Sequence, residues 1–233
     1  MKDRTTTAAV VLAAGDGRRF GRAKQFETIG GQTLIGRVVN TASSVCDLVV
    51  VVVPATHRPG AGEMETCWEG TPVHAVVGGG CSHGESARIG LNLVPDDVAV
   101  VVIAAASHPL ASSKLYQRTV EAVAAGATAA APAGLIADAV KQHHDGAVVA
   151  SVDKSRLVIA QAPYAIDRAA LVEAYQTFGG NDQPPFPPEV LEMIESCGGS
   201  VALVEGEPTN IHITTPLELD MARRLADLVP GPI

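Results

Sequence analysis

The chain predicts an α/β fold: a mostly parallel sheet with helices on both faces. Three observations carry this reading. Short apolar, β-branched runs alternate with longer amphipathic stretches, the rhythm of strands joined by crossover helices. Two of the runs, residues 48–53 and 98–104, lack polar alternation and so read as strands buried on both faces. Of 233 residues, 47% are hydrophobic but only 3% aromatic, so Val, Ala, Leu and Ile must build the core. That length suits one domain, predicted over 1–233 with a β-arm inserted at about 134–153.

The elements follow in order. Residues 8–14 are an apolar first strand, ended by Gly15. Residues 33–44 form a helix with Leu34, Ile35, Val38 and Val39 on one face. Strands follow at 48–53 and 73–77, and the Gly78-Gly79-Gly80 turn leads into a helix at 85–93. Residues 98–104 are the central strand. A helix at 114–125 and a short strand at 127–131 come next, the strand stopped by Pro132. Residues 137–142 and 147–152 then flank His143-His144-Asp145-Gly146. Asp-Gly between short apolar runs signals a hairpin, here an arm with Asp145-Gly146 near its tip and both histidines in its loop. Helices at 168–178 and 189–197 are separated by a Pro-rich loop at 181–188 that carries Asp182. A strand at 201–204 and a helix at 217–228, after Thr215-Pro216, close the chain.

Charge and cysteine usage exclude several classes. The net charge of −8 argues against a basic surface for nucleic acid. No apolar run reaches the ~20 residues of a membrane span. The opening residues lack the apolar stretch of a secretory signal. Cys46, Cys67, Cys81 and Cys197 form no C-x-x-C pair, so reduced thiols in a cytoplasmic protein are expected. The arm carries Ala147-Val148-Val149-Ala150 with little polar cover, and a lone two-stranded hairpin is marginal in water. The expectation is a homodimer in which the arm packs on a second subunit.

The functional signal sits at the first strand's end. Gly15-Asp16-Gly17 is followed by Arg18, Arg19, Arg22 and Lys24. Glycines let backbone N–H groups approach an anion, and Arg and Lys neutralise phosphate charge. The pattern predicts a site for a nucleoside triphosphate.

Five segments in order extend that reading: AAGDGRRFGRAKQF, GGGCSHGESARIGL, ADAVK, the Asp-Gly arm and NIHITTPLELDMA. Together they resemble the cytidylyltransferases of isoprenoid and teichoic-acid precursor synthesis, those acting on 2-C-methyl-D-erythritol 4-phosphate first and on ribitol phosphate second. The resemblance implies a Rossmann-like nucleotidyltransferase fold, a dimerising β-arm and a Mg²⁺-assisted attack of a polyol phosphate on the α-phosphorus of CTP. It implies catalytic roles for Arg19 and Lys24. It implies nucleotide contacts at Ala13, Ala14, Gly15, Gly17, Gly79, Gly80 and Ser86, and Asn210 matches the Asn of the family's Asn-Ile-Lys motif.

The acceptor side departs from the family. The Asp of its His-Asp-Ala-Ala-Arg-Pro stretch falls at Ala105 and the Arg at His108. Its Asp-Thr-x-Lys threonine falls at Ala139, its Val-Asp-Arg arginine at Lys154 and its Thr-Pro-Gln threonine at Ala162. Its Asn-Ile-Lys lysine falls at His212, and a further Arg at His83. A metal carboxylate, two hydroxyls and three permanent cations are thereby lost. The expectation is a protein that binds CTP or a related nucleotide and, if active, moves CMP to a sugar or polyol phosphate other than methylerythritol phosphate. Mg²⁺ then arrives with CTP, and the protein holds no metal of its own. The alternatives are an inactive nucleotide-binding homologue with a regulatory or assembly role and, third, an enzyme that does act on methylerythritol phosphate, active through replacement residues. His83, His108 and His212 either converge on a metal or fill the vacated pocket as neutral rings. Should His108 and His212 supply the missing charge, activity rises as pH falls from about 7.5 to 6.

Overall fold

The computed structural model of the chain describes residues 5–55, 67–68, 71–178 and 189–227. Its first half contains β1 (Thr7–Leu12), β2 (Thr28–Ile29), β3 (Gln32–Thr33), α1 (Leu34–Ser43), β4 (Leu48–Val53), β5 (Ala75–Gly78), α2 (His83–Leu91) and β6 (Val100–Ala105). Next come α3 (Ser113–Ala124), β7 (Ala129–Gly134), β8 (Lys141–His144) and β9 (Ala147–Ser151). β10 (Ile159–Ala160), β11 (Tyr164–Asp167), α4 (Arg168–Phe178), α5 (Val190–Ser196), β12 (Val201–Glu205) and α6 (Pro216–Ala226) complete it.

The main sheet has eight strands in the order β10-β7-β11-β6-β1-β4-β5, with β12 also paired to β7. β5, β4, β1 and β6 are mutually parallel, β7 and β12 run the same way, and β10 and β11 run against them. The mostly parallel α/β class is therefore as predicted. Every residue of β1 is buried, and of β4 only Leu48 is not fully so. Alternate residues feed opposite layers. Ala9, Val11, Val49, Val51 and Val53 meet α1 and α3, while Ala8, Val10, Val50 and Val52 meet α2, α4 and α5. At ~1.5–3 kcal/mol per fully buried valine or leucine, these two faces carry most of the stabilisation. A third cluster, Phe20, Ile29, Leu34, Leu110, Ile213, Leu219 and Ala222, seats α6 beneath the loop that follows β1.

Three predicted elements change on inspection. β1 ends at Leu12, so Ala13 and Ala14 already belong to the loop. Pro132 does not stop β7, which runs on to Gly134. Pro132 falls at the seam where β11 stops pairing with β7 and β10 starts; its carbonyl accepts from the Gln161 N–H at 2.9 Å, and having no N–H it returns no bond, a loss confined to that seam. β11 is a strand that sequence reading missed. The arm is the predicted hairpin, but β8 and β9 form a sheet of their own with a two-residue turn at Asp145-Gly146. Both turn residues have positive φ, 47° and 80°, as a twisted hairpin requires. His143 and His144 consequently lie in β8, exposed, rather than in a loop. The loop at 181–188, with Asp182, lies outside the described residues. No helix among the described residues is long and apolar enough to cross a membrane.

Candidate active site

The site is built at the carboxyl ends of β1, β4, β5 and β6, where an open α/β sheet leaves its binding crevice. The Ala13 N–H donates to the Val52 carbonyl at 2.8 Å, so the chain leaves β1 still attached to the sheet. Gly17 then turns it, with φ of +67° and its carbonyl accepting from the N–H groups of Phe20 and Gly21, both at 2.8 Å. A Cβ at Gly17 would stand 1.8 Å from the Arg22 carbonyl oxygen, so only glycine closes this loop. Buried Gln25 braces it from below, donating to the Gly15 carbonyl at 3.3 Å.

Not all four cations of this loop are free for an anion. Arg18 pairs with Asp16 at 2.6 Å and Arg22 pairs with Glu27 while its guanidinium lies over the Phe20 ring. Arg19 is exposed with no ion pair among the described residues, and half-buried Lys24 donates to the Ile213 carbonyl at 2.5 Å. Burial first, and then Arg19, pulls the Lys24 ammonium below its ordinary value, while Glu218 opposes them. Arg19 and Lys24 are therefore the two cations of the loop outside salt bridges among the described residues.

The facing wall is the turn from β5 into α2. The Gly79 N–H donates to the Val53 carbonyl at 2.8 Å. A Cβ at Gly79 would come within 2.3 Å of the Ala14 methyl, so the two loops touch backbone to side chain and leave no room for a larger residue. Buried Ser86 accepts from the Gly80 N–H at 3.2 Å through Oγ, and Ser82 caps α2 by accepting from the Glu85 N–H at 3.0 Å. Ala13, Ala14, Gly79, Gly80 and Ser86 thus form one continuous cradle.

The third wall follows β6. The His108 N–H donates to the Ala105 carbonyl at 2.9 Å, and the Ile213 N–H donates to the Ser107 carbonyl at 2.9 Å. That second bond lays His212 over His108, with ring centroids 4.7 Å apart and planes inclined by 23°. Nδ1 of His108 is buried with no hydrogen-bond partner among the described residues. Burial, then His212, Lys24 and His83, pushes the His108 imidazole down to about 3. His212 is exposed but also held below its ordinary value, first by partial desolvation and then by Lys24 and Arg19. The pair is neutral near pH 7.

The profile of 2-C-methyl-D-erythritol 4-phosphate cytidylyltransferase (IspD) matches residues 7–227. The chain belongs to this family. A protein of that name from Streptomyces coelicolor is 34% identical over 243 residues, spanning 95% of this chain and 87% of its own. The bifunctional enzyme IspD/IspF of Anaeromyxobacter dehalogenans is 36% identical over 94% of this chain, which spans 56% of that longer relative. The cytidylyltransferase structure from Thermus thermophilus superimposes with a TM-score of 0.76 at 26% identity, covering 94% of this chain and 98% of its own. The 4-diphosphocytidyl-2C-methyl-D-erythritol synthase from Anaerococcus prevotii has a TM-score of 0.80 at 21% identity over 96% and 99%, a likeness of fold.

The positions expected on the acceptor side separate into two groups. Ala105, His108 and His212 meet beside Lys24. Ala139 and Lys154 do not join them: both are exposed on the arm or at its base, where Lys154 donates to the carbonyls of Ile136 and Ala137. Buried Ala162 offers its carbonyl to Asn210 Nδ2 at 2.8 Å, so Asn210 braces the segment before His212. His83 pairs with Glu189 at 3.4 Å when protonated. Among the described residues no group of three or more His, Cys, Asp or Glu could hold a metal ion. Ala105, at the end of β6, offers no carboxylate to a Mg²⁺ ion. Sequence reading missed Glu218, which Thr215-Pro216 followed by an acidic residue signals as a capping box.

Proposed function

We propose that this protein binds CTP in the cradle between Gly15–Gly17 and Gly79–Gly80 and transfers CMP to a hydroxyl of a polyol or sugar phosphate. The observation that supports the reading is a glycine-closed loop carrying two cations outside salt bridges among the described residues, Arg19 and Lys24, with its Ala14 against the Gly79 turn in a chain of this family. In the reaction an acceptor hydroxyl oxygen bonds to the α-phosphorus, the bond from that phosphorus to its bridging oxygen breaks, and pyrophosphate leaves. This reading gives Arg19 and Lys24 the task of meeting the charge that grows on the triphosphate, the positioning and charge stabilisation on which such transfers depend. Any Mg²⁺ enters with the triphosphate, since that ion needs few protein ligands.

Methylerythritol phosphate is named in the relatives above and is the first acceptor to assay. The neutral His108–His212 stack offers a phosphate dianion no fixed charge, which supports an acceptor held differently. The same stack, with Ala105, supports a second reading, a nucleotide-binding homologue without turnover. We also propose one nucleotidyltransferase domain working as a cytoplasmic homodimer. Val148 and Val149 are 66% and 61% exposed on the arm, and all four cysteines are free thiols. Calorimetry with CTP, with and without Mg²⁺, followed by pyrophosphate release over a panel of polyol and sugar phosphates, tests the proposal. Binding with release for one acceptor supports it. Binding with no release selects the second reading, and no binding overturns both.

A further inference from the structure

We propose that Glu218 is a positioning residue for the nucleotide site: by holding residues 213–215 it fixes the carbonyl on which Lys24 rests. The inference builds on the reading of Lys24 as a triphosphate ligand. Glu218 is the third residue of α6, and its capping box with Thr215 would be complete with one backbone contact. It does much more. One carboxylate oxygen accepts from the Thr214 N–H at 2.6 Å, the Thr214 hydroxyl at 2.6 Å, the Thr215 N–H at 2.7 Å and the Thr215 hydroxyl at 3.2 Å. Two of these donors belong to Thr214, the residue directly after Ile213.

Ile213 is thereby pinned on every side. Its N–H donates to the Ser107 carbonyl at 2.9 Å, and its side chain is wholly buried with Phe20, Leu110 and Leu219. Its carbonyl is then the fixed acceptor for Lys24 Nζ at 2.5 Å. The strap that carries Ile213 also presents His212 to His108. Burial raises the Glu218 carboxyl, but the hydrogen bonds from Thr214 and Thr215 outweigh it and bring the group down to about 2. Its negative charge also faces Lys24 and His212, opposing the effect of Arg19 on each.

Charge and position make opposite predictions for Glu218→Gln. Removing a negative charge beside an anion site should tighten CTP binding if field alone matters. An uncharged amide oxygen cannot serve four donors as a carboxylate does, so the strap loosens and Lys24 loses its rest. The positioning role therefore predicts weaker binding. The test uses the full chain and measures CTP affinity by calorimetry and Lys24 acetylation by acetic anhydride with mass spectrometry. We expect Glu218→Gln to weaken CTP at least threefold and to acetylate Lys24 at least threefold faster. Glu218→Asp should recover most of the affinity, and Glu218→Gln should add nothing in a Lys24→Ala background. Thr214→Val, which removes one donor and no charge, should act in the same direction and covers a failure of Glu218→Gln to fold. Unchanged or tighter CTP binding by Glu218→Gln overturns the proposal. Should the wild type not bind CTP, the nucleotide reading fails by itself. The acetylation rate of Thr214→Val, which changes no charge, then decides, and an unchanged rate overturns the link between the Glu218 strap and Lys24.

Discussion

His108 sets a sharp pH test of the acceptor wall. In the unfolded chain its imidazole takes up a proton near pH 6.5, but in the fold it does so only at about 3. Between these values the unfolded state binds the extra proton, so stability rises with pH and falls as pH drops below 6.5. At pH 5 the gap is about 1.5 pH units, worth about 2 kcal/mol against the folded state. His108→Gln keeps a side chain of similar size and removes the titration. Urea unfolding at pH 7.5 and 5.0 should show the wild type losing about 2 kcal/mol more than the variant between the two pH values. The same lowering speaks against a gain of charge on His108 between pH 7.5 and 6 as a source of activity. Equal losses in the two proteins, or a His108 ring resonance titrating near 6.5, would refute the reasoning.

Gly17→Ala should cost about 1 kcal/mol for the left-handed backbone plus the displacement of the Arg22 carbonyl 1.8 Å from the new methyl, lowering the melting temperature and CTP affinity together. A variant that binds CTP like wild type counts against the loop. Val148→Lys with Val149→Lys should leave the fold intact and shift a dimer to monomer in light scattering, because both side chains are exposed on the arm; a dimer that persists rejects the arm as its interface. Ala105→Asp, His108→Arg and His212→Lys together should raise cytidylyl transfer to methylerythritol phosphate at least tenfold; no gain in a folded variant would show that these three positions do not set the acceptor.

Much of the fold was legible because its signals are local. The unbroken valines of β4 announce burial on two faces, and Asp145-Gly146 announces its own turn. β11 was not legible: four residues, Tyr164 to Asp167, carry too little periodicity, and its antiparallel partners β6 and β7 lie far away in sequence. Pro132 misled because its neighbours across the seam cannot be seen from the chain. In the site, the spacing of Asp16 to Arg18 and of Arg22 to Glu27 could have revealed that two of the four cations are compensated. The His108–His212 stack and the Lys24–Ile213 bond could not, because each joins segments that meet only through the packing of α6.

The central claim is that Lys24 and the glycine loop hold a triphosphate. Calorimetric titration of CTP into wild type and Lys24→Ala at pH 7.5 tests it most directly. A charge-assisted contact of ~1.5–3 kcal/mol predicts an affinity about 10- to 150-fold weaker in the variant. Equal affinity in the two proteins, or no CTP binding by the wild type, would contradict the account.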